Sequence, residues 1–202
     1  LAAYTLVVSP ARRPVLEGGA GKLLSCSITM TVEEIRELIQ LASETGIAGL
    51  LRRLSELGTK EIYLDAAELD WNGGVRLHRI KAPAIPRRTP TTLVISGHWL
   101  SGDRPPEQLA TALLSELSGL RIVAEQEGLL VTGFHFEVEP GASAESYANT
   151  LKRLRSNLGK STYLSAGFDR RALEGPHAQA IADAVDYFVC MIYGQRPGEA
   201  ED

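Results

Sequence analysis

Short segments rich in β-branched and aromatic residues alternate along this chain with longer amphipathic segments. The short segments predict β-strands, and the long ones, in which apolar residues recur every three or four positions, predict α-helices. The predicted strands are 4–9, 23–30, 61–66, 91–99, 130–139, 162–167 and 186–193, and the predicted helices are 32–57, 105–126, 143–158 and 176–184. This regular succession of strand and helix indicates an α/β fold built on a mostly parallel sheet.

Two of the predicted helices carry apolar residues that we expect to face the core. The core candidates in the helix 105–126 are Leu109, Leu113, Leu117, Leu120 and Ile122, and those in the helix 143–158 are Tyr147, Leu151, Leu154 and Leu158. The segment 71–90 is rich in proline and predicts an irregular surface loop, because proline interrupts helices and central strands. We expect a single domain over residues 1–194, followed by a polar tail at 195–202.

The composition and charge of the chain limit the kinds of partner that we expect it to bind. The chain has 202 residues, 44% of them hydrophobic, and a net charge of −4 with scattered basic residues, so it predicts a globular domain without a nucleic-acid partner. No apolar stretch reaches the roughly 18 residues that a membrane span needs. The histidines and cysteines lack metal-ligand spacing, and neither a phosphate-binding loop nor a nucleophile elbow occurs. We therefore expect no bound metal or cofactor.

The strand 130–139 separates its polar and apolar residues onto two faces, because successive side chains of a strand point in opposite directions. The polar members of one face are His135, Glu137 and Glu139. The apolar members of the other face are Phe134, Phe136 and Val138. The polar face has two interpretations: a solvated face of an antiparallel edge strand, or a functional face inside a parallel sheet flanked by helices.

The flanking helices favour the second interpretation. Charged groups inside a buried parallel strand are costly unless they are paired or functional. Glu137 and Glu139 lie about 7 Å apart along the strand, which is close enough to raise the pKa of at least one carboxyl group and keep it protonated as a general acid. Active sites of α/β barrels lie at the carboxyl ends of their strands, where Glu139 stands. Asp65 follows an earlier strand and is a candidate for the same rim, and Trp99 or Trp71 is a candidate for stacking on a sugar.

Four segments resemble consecutive strands of the family-18 glycoside hydrolases, the chitinases. Thr132-Gly133-Phe134-His135-Phe136-Glu137-Val138-Glu139-Pro140 is similar to the family's Asp-Gly-x-Asp-x-Asp-x-Glu motif on the fourth barrel strand. The segments similar to the third, fifth and sixth strands are Leu93 to Trp99, Tyr163 to Gly167 and Val185 to Gly194. The same order of features resembles a bacterial family of chitinase-like barrels known as domain of unknown function 3142. The resemblance covers roughly residues 60–194.

This resemblance implies a (β/α) TIM-barrel-like domain of the glycosidase type, with about six of the eight strands of a closed barrel. It implies that Glu139 is the catalytic acid, that Glu137 positions the acetamido group of the substrate, and that Tyr193 contributes to the reaction centre. The implied substrate is a β-linked polysaccharide, with N-acetylated sugars included, and His135, Trp99, Asp65 and Met191 are candidates to bind it. Export from a bacterial cell is also implied.

Several positions depart from the family pattern. Thr132 and His135 replace two aspartates, Glu137 replaces a third, and Gly194 stands where an aspartate usually follows the tyrosine. Two alternatives to a chitinase therefore stay open. One is a catalytically degenerate barrel that binds carbohydrate or another partner, and the other is a hydrolase of sugars that lack an acetamido group.

Overall fold

The computed structural model describes residues 44–45, 49, 52–53, 61–72, 74–79, 87–88, 90–139, 143–169 and 177–191. The strands are β1 (Ile62–Asp70), β2 (Arg76–Arg79), β3 (Pro90–His98), β4 (Leu130–Glu139), β5 (Tyr163–Asp169) and β6 (Tyr187–Met191). The helices are α1 (Pro106–Gln126), α2 (Ala144–Asn157) and α3 (Ala178–Ala184). The predicted strands 4–9 and 23–30 and the tail 195–202 lie outside the described residues, and the predicted helix 32–57 is helical at each of its five described positions.

The six strands form one sheet in the order β2-β1-β3-β4-β5-β6. From β1 onward, each strand is parallel to its neighbour, and the parallel strands follow one another in chain order. Among the described residues, α1 lies between β3 and β4, α2 lies between β4 and β5, and α3 lies between β5 and β6. The prediction of an α/β fold on a mostly parallel sheet is confirmed. Because the order never reverses, the described part of the sheet lacks the switch point of a doubly wound fold.

The helices pack on one face of the sheet and enclose the core with it. The buried residues of α1 include Leu109, Leu113, Leu117 and Leu120, and those of α2 include Tyr147, Leu151 and Leu154, as predicted. They meet the apolar face of β4, on which Phe134 and Phe136 are almost fully buried. The prediction for Ile122 is wrong, because its side chain is 56% exposed. Ile122 follows Leu120 by two residues, which places it roughly 200° around the helix.

The prediction of an irregular loop over 71–90 is wrong at residues 76–79, which form strand β2. It pairs antiparallel with β1 at the edge of the sheet, and His78 and Arg76 lie opposite Glu68 and Asp70. The N–H of Leu77 also donates a hydrogen bond of 3.0 Å to the carboxylate of Glu116 on α1. Three of the four residues of β2 are exposed and charged or polar, so hydrophobic patterning gives no signal for this strand.

A contact between the first and last parallel strands shows that the sheet is curved. The hydroxyl oxygens of Tyr63 on β1 and Tyr187 on β6 lie 2.5 Å apart. Four strand spacings separate β1 from β6, which is about 19 Å in a flat sheet. Two extended tyrosine side chains and one hydrogen bond cover only about 15 Å. The sheet therefore curves toward the face that carries these tyrosines, opposite the helices.

Gly133 lies where β4 closely approaches Tyr163 on β5. A Cβ atom at this position would lie 2.7 Å from the carbonyl oxygen of Tyr163 and 3.0 Å from its Cβ atom. We expect Gly133→Ala to lower the free energy of unfolding by at least about 1 kcal/mol, because the neighbouring backbone must move. Urea denaturation measures this difference.

Gly119→Ala is the matched control, because a Cβ atom on this exposed residue of α1 would meet no atom within 4 Å. Alanine is the better helix former there and should raise the free energy of unfolding by about 0.5–1 kcal/mol. Equal effects of the two substitutions would contradict the close approach of β4 and β5.

None of the helices in the described part of the chain combines the length and apolarity needed to cross a bilayer.

Candidate functional site

The concave face of the sheet carries a row of side chains across its five parallel strands. The strand registers align Asp65, Val94, His135, Ser165 and Tyr187, one from each strand. His135 is 3% exposed and Ser165 is fully buried. The polar face of β4 is therefore buried inside a parallel sheet, and the alternative of a solvated antiparallel edge strand is wrong. Central position in the sheet and curvature toward this face together exclude solvent from the row.

His135 is a neutral, hydrogen-bonded residue at the middle of this face. Its Nδ1 atom lies 2.9 Å from the hydroxyl oxygen of Ser165 on β5, and its ring meets that of Tyr63 edge to face with centroids 5.3 Å apart. Burial lowers the pKa of His135 to about 4, because the charged imidazolium would lose its hydration. The predicted substrate-binding residue is therefore uncharged at neutral pH, and its described hydrogen-bond partner is Ser165.

A second polar group occupies the amino-terminal end of the same face. Glu61, which precedes β1, accepts hydrogen bonds from the hydroxyl groups of Thr92, at 2.6 Å, and Thr132. Burial raises the pKa of Tyr187, the hydrogen bond from Tyr63 opposes that shift, and the negative charge of Glu61 adds to it. These residues form a continuous polar interior from the amino-terminal end of the sheet up to His135.

Sequence analysis missed this interior. Four of its residues lie in otherwise apolar strands, at positions whose side chains alternate onto the polar face. They are Tyr63, Thr92, Ser165 and Tyr187. The signal that could have found them is this shared phase, since all four fall on the face that also carries His135.

The concave face opens toward the carboxyl ends of the strands. Two residues beyond the buried row, and on the same face, Glu137 pairs with Ser96, and both residues are partly exposed. At the final step, Glu139 is paired with His98, which is exposed. The described structure therefore brings the two predicted carboxylate positions to the open edge of a polar, mostly buried face, beside Ser96 and His98.

The other predicted site residues lie at different depths. Asp65 is partly exposed in the row of His135, with Val94 between them, and burial raises its pKa. Met191 is the last residue of β6 and pairs with Asp169, the last residue of β5. Tyr193 lies outside the described residues. The backbone thus places Met191 at the same carboxyl edge as Glu139, and Asp65 nearer the centre of the face.

The prediction that the side chain of Trp99 stacks on a sugar is wrong. It is 3% exposed and packs between Trp71, with centroids 5.1 Å apart, and Tyr147 on α2, with centroids 5.0 Å apart. Alternation explains this position, because Trp99 follows His98 and so points to the helix side of the sheet. Its ring has no open face for a sugar, and it belongs to the core.

Within the described ranges, no cluster of three or more His, Cys, Asp or Glu side chains could hold a metal ion.

No family model matches this chain, and neither a curated protein nor a solved structure does.

Proposed function

We propose that this chain is a glycoside hydrolase-like protein of the family-18 type, acting on a β-linked polysaccharide at the carboxyl ends of β3 and β4. The observation that carries the proposal is the strand β4. Its polar face is buried at His135 and opens at Glu137, and Glu139 is the last residue of the strand. In parallel α/β sheets, ligands bind at this end of the strands.

The proposal includes a (β/α) barrel as the complete architecture. Five parallel strands in chain order, curved away from their helices, are what an arc of such a barrel requires. A polar interior beneath a rim of carboxylates also fits a barrel whose loops at the carboxyl end build the site.

In the proposed mechanism, Glu139 is the general acid that protonates the glycosidic oxygen as the bond to the anomeric carbon breaks. In chitinase-type hydrolysis, the carbonyl oxygen of the substrate's own acetamido group attacks that carbon, so no carboxylate acts as nucleophile. Glu137 orients the acetamido N–H, and Tyr193 donates a hydrogen bond to the acetamido carbonyl. Water then opens the cyclic intermediate, and Glu139 accepts the proton of that water.

A catalytically degenerate site that binds carbohydrate without cleaving it is the second candidate. The observation that favours it is His135, which stands where the resembling family has an aspartate. At pH 7 a histidine with a pKa of about 4 is neutral, so it cannot supply the negative charge of that aspartate. Both candidates share the same sugar site and differ only in turnover.

Titration with two classes of oligosaccharide tests the shared site. We expect saturable binding of N-acetylglucosamine oligomers or of unacetylated β-glucans by calorimetry. We also expect Glu139→Gln to change the affinity for the bound class roughly 2- to 10-fold, because it alters one hydrogen-bonding group at the site. Glu145→Gln, which replaces an exposed carboxylate on the first turn of α2, is the matched control.

Binding that is unaffected by Glu139→Gln would place the sugar away from β4. No binding of either class by the folded protein would refute both candidates.

A further inference from the structure

The polar interior of the concave face links a carboxylate at one end of the sheet to His135 at its middle. Glu61 accepts a hydrogen bond of 2.6 Å from the hydroxyl group of Thr92. Thr92 and Ser165 are both within hydrogen-bonding reach of the hydroxyl group of Tyr187. Ser165 in turn lies 2.9 Å from the Nδ1 atom of His135. Hydrogen-bonding groups therefore run without a break from Glu61 to His135.

The carboxylate fixes the direction in which these hydroxyl groups donate. A carboxylate only accepts hydrogen bonds, whereas each hydroxyl group has a single proton to donate. Thr92 gives its proton to Glu61, so its oxygen accepts the proton of Tyr187. Burial raises the pKa of Tyr187 and the negative charge of Glu61 adds to that rise, so Tyr187 keeps this proton. Its oxygen is then the acceptor for its remaining neighbours, Tyr63 at 2.5 Å and Ser165.

Ser165 has two acceptors for its proton besides the imidazole of His135. One is the hydroxyl oxygen of Tyr187, and the other is the carbonyl oxygen of Phe134, at 3.5 Å. Donation to either one leaves the oxygen of Ser165 to accept a hydrogen bond from the Nδ1–H of His135. Burial lowers the pKa of His135 to about 4, so its imidazole has one proton at pH 7. With that proton on Nδ1, the Nε2 atom has a lone pair and no hydrogen.

Nε2 is the nitrogen that a ligand on the concave face would meet. Nδ1 is bonded to the ring carbon nearest the backbone and faces Ser165 on β5. Nε2 lies on the far edge of the ring, away from the strand that carries His135. Two residues farther along the same face, Glu137 is partly exposed, so the opening of the face begins just beyond this ring.

We infer that Glu61 is a positioning residue that holds His135 as the Nδ1–H tautomer, through the hydroxyl groups between them. The concave face thereby offers a hydrogen-bond acceptor at Nε2. The ligand group that it takes is a donor, either a hydroxyl group or an amide N–H. Resting on the proposed function, this group belongs to the saccharide unit that reaches deepest into the face. Glu61 acts from the amino-terminal end of the face without touching the saccharide.

Nitrogen NMR of protein with isotope-labelled histidine tests the tautomer without any ligand. The chain has four histidines, and the signals missing in His135→Gln identify this residue. At pH 7.5 we expect a protonated Nδ1 and an unprotonated Nε2 in the native protein. Glu61→Gln should convert about half or more of the molecules to the Nε2–H tautomer, because a carboxamide can also donate and so allows the chain of hydroxyl groups to reverse.

Tyr63→Phe is the matched control for a change inside this face. It removes a hydroxyl group that contacts Tyr187 but does not lie between Glu61 and His135, so the native tautomer should persist. If Glu61→Gln does not fold, Thr92→Val reports the same change, because Tyr187 then loses its acceptor. A native protein with the proton on Nε2 would overturn the inference. The native tautomer in both Glu61→Gln and Thr92→Val would also overturn it.

Calorimetry tests the acceptor role of Nε2 toward the saccharide class that the native protein binds. Glu61→Gln should weaken binding about 3- to 10-fold through the loss of one hydrogen bond, and Tyr63→Phe should stay within twofold of the native affinity. A changed tautomer in Glu61→Gln with native affinity would overturn the contact at Nε2 and leave the proposed function standing. Absence of native binding to any saccharide would refute the proposed function, and the NMR measurement alone would then decide the role of Glu61.

Discussion

The free energy of unfolding is expected to fall by about 2 kcal/mol between pH 7.5 and pH 5 through His135 alone. In the folded protein, burial lowers the pKa of this histidine from 6.5 to about 4. As the pH falls through 6.5, His135 binds a proton in the unfolded chain but stays neutral in the folded protein, so acid favours unfolding. The contribution is fully present above about pH 7 and is lost progressively down to pH 4, where the loss approaches 3 kcal/mol.

Urea denaturation at pH 7.5, 6 and 5 measures this slope for the native protein and for His135→Gln. Glutamine does not titrate, so the difference between pH 7.5 and pH 5 should be about 2 kcal/mol smaller in the variant. His78→Gln, which removes an exposed imidazole from β2, controls for the loss of any histidine. Identical pH slopes for the native protein and His135→Gln would contradict a buried, neutral His135.

On the proposed function, replacing Glu139 by glutamine is expected to reduce hydrolysis of the saccharide about 100- to 10,000-fold. Glutamine keeps the size of the side chain but cannot protonate the leaving oxygen. Because that proton transfer occurs in the transition state, kcat should fall by this factor, whereas KM should change by no more than the roughly 2- to 10-fold expected for binding. Release of reducing ends from the oligosaccharide measures both constants.

Glu145→Gln should retain native turnover, because its carboxylate lies exposed on the first turn of α2. A loss of turnover in Glu137→Gln with native rates in Glu139→Gln would assign the general acid to Glu137. Measurable binding with no turnover by the native protein would favour the degenerate, binding-only site.

Much of the fold was predictable because it depends on periodic burial. Strand β4 was predicted at its observed bounds, and α1 was predicted within one residue, since the apolar residues of both elements follow the period of one secondary structure. The buried polar face of β4 was also predictable, because three polar residues share one phase in a segment flanked by helices.

The failures have separate physical causes. Strand β2 pairs with β1 through the backbone, and three of its four residues are exposed and charged or polar, so it produces no apolar pattern. Trp99 was wrongly predicted to stack on a sugar because it lies at the end of a strand. The alternation of side chains along that strand directs Trp99 into the core. The contact between Tyr63 and Tyr187 joins residues 124 positions apart and depends on the curvature of the whole sheet. A local pattern carries no information about such a contact.

The short, charged strand β2 also has a consequence for association between molecules. The outer edge of a sheet presents unpaired N–H and C=O groups that can recruit a strand from another chain and start aggregation. In the part of the sheet that the structure describes, β2 covers β1 with only four residues, and three of them, Arg76, His78 and Arg79, are exposed and charged or polar. A short strand with polar, exposed side chains is a poor template for another strand, so this side of the described sheet disfavours edge-to-edge pairing between copies of the protein.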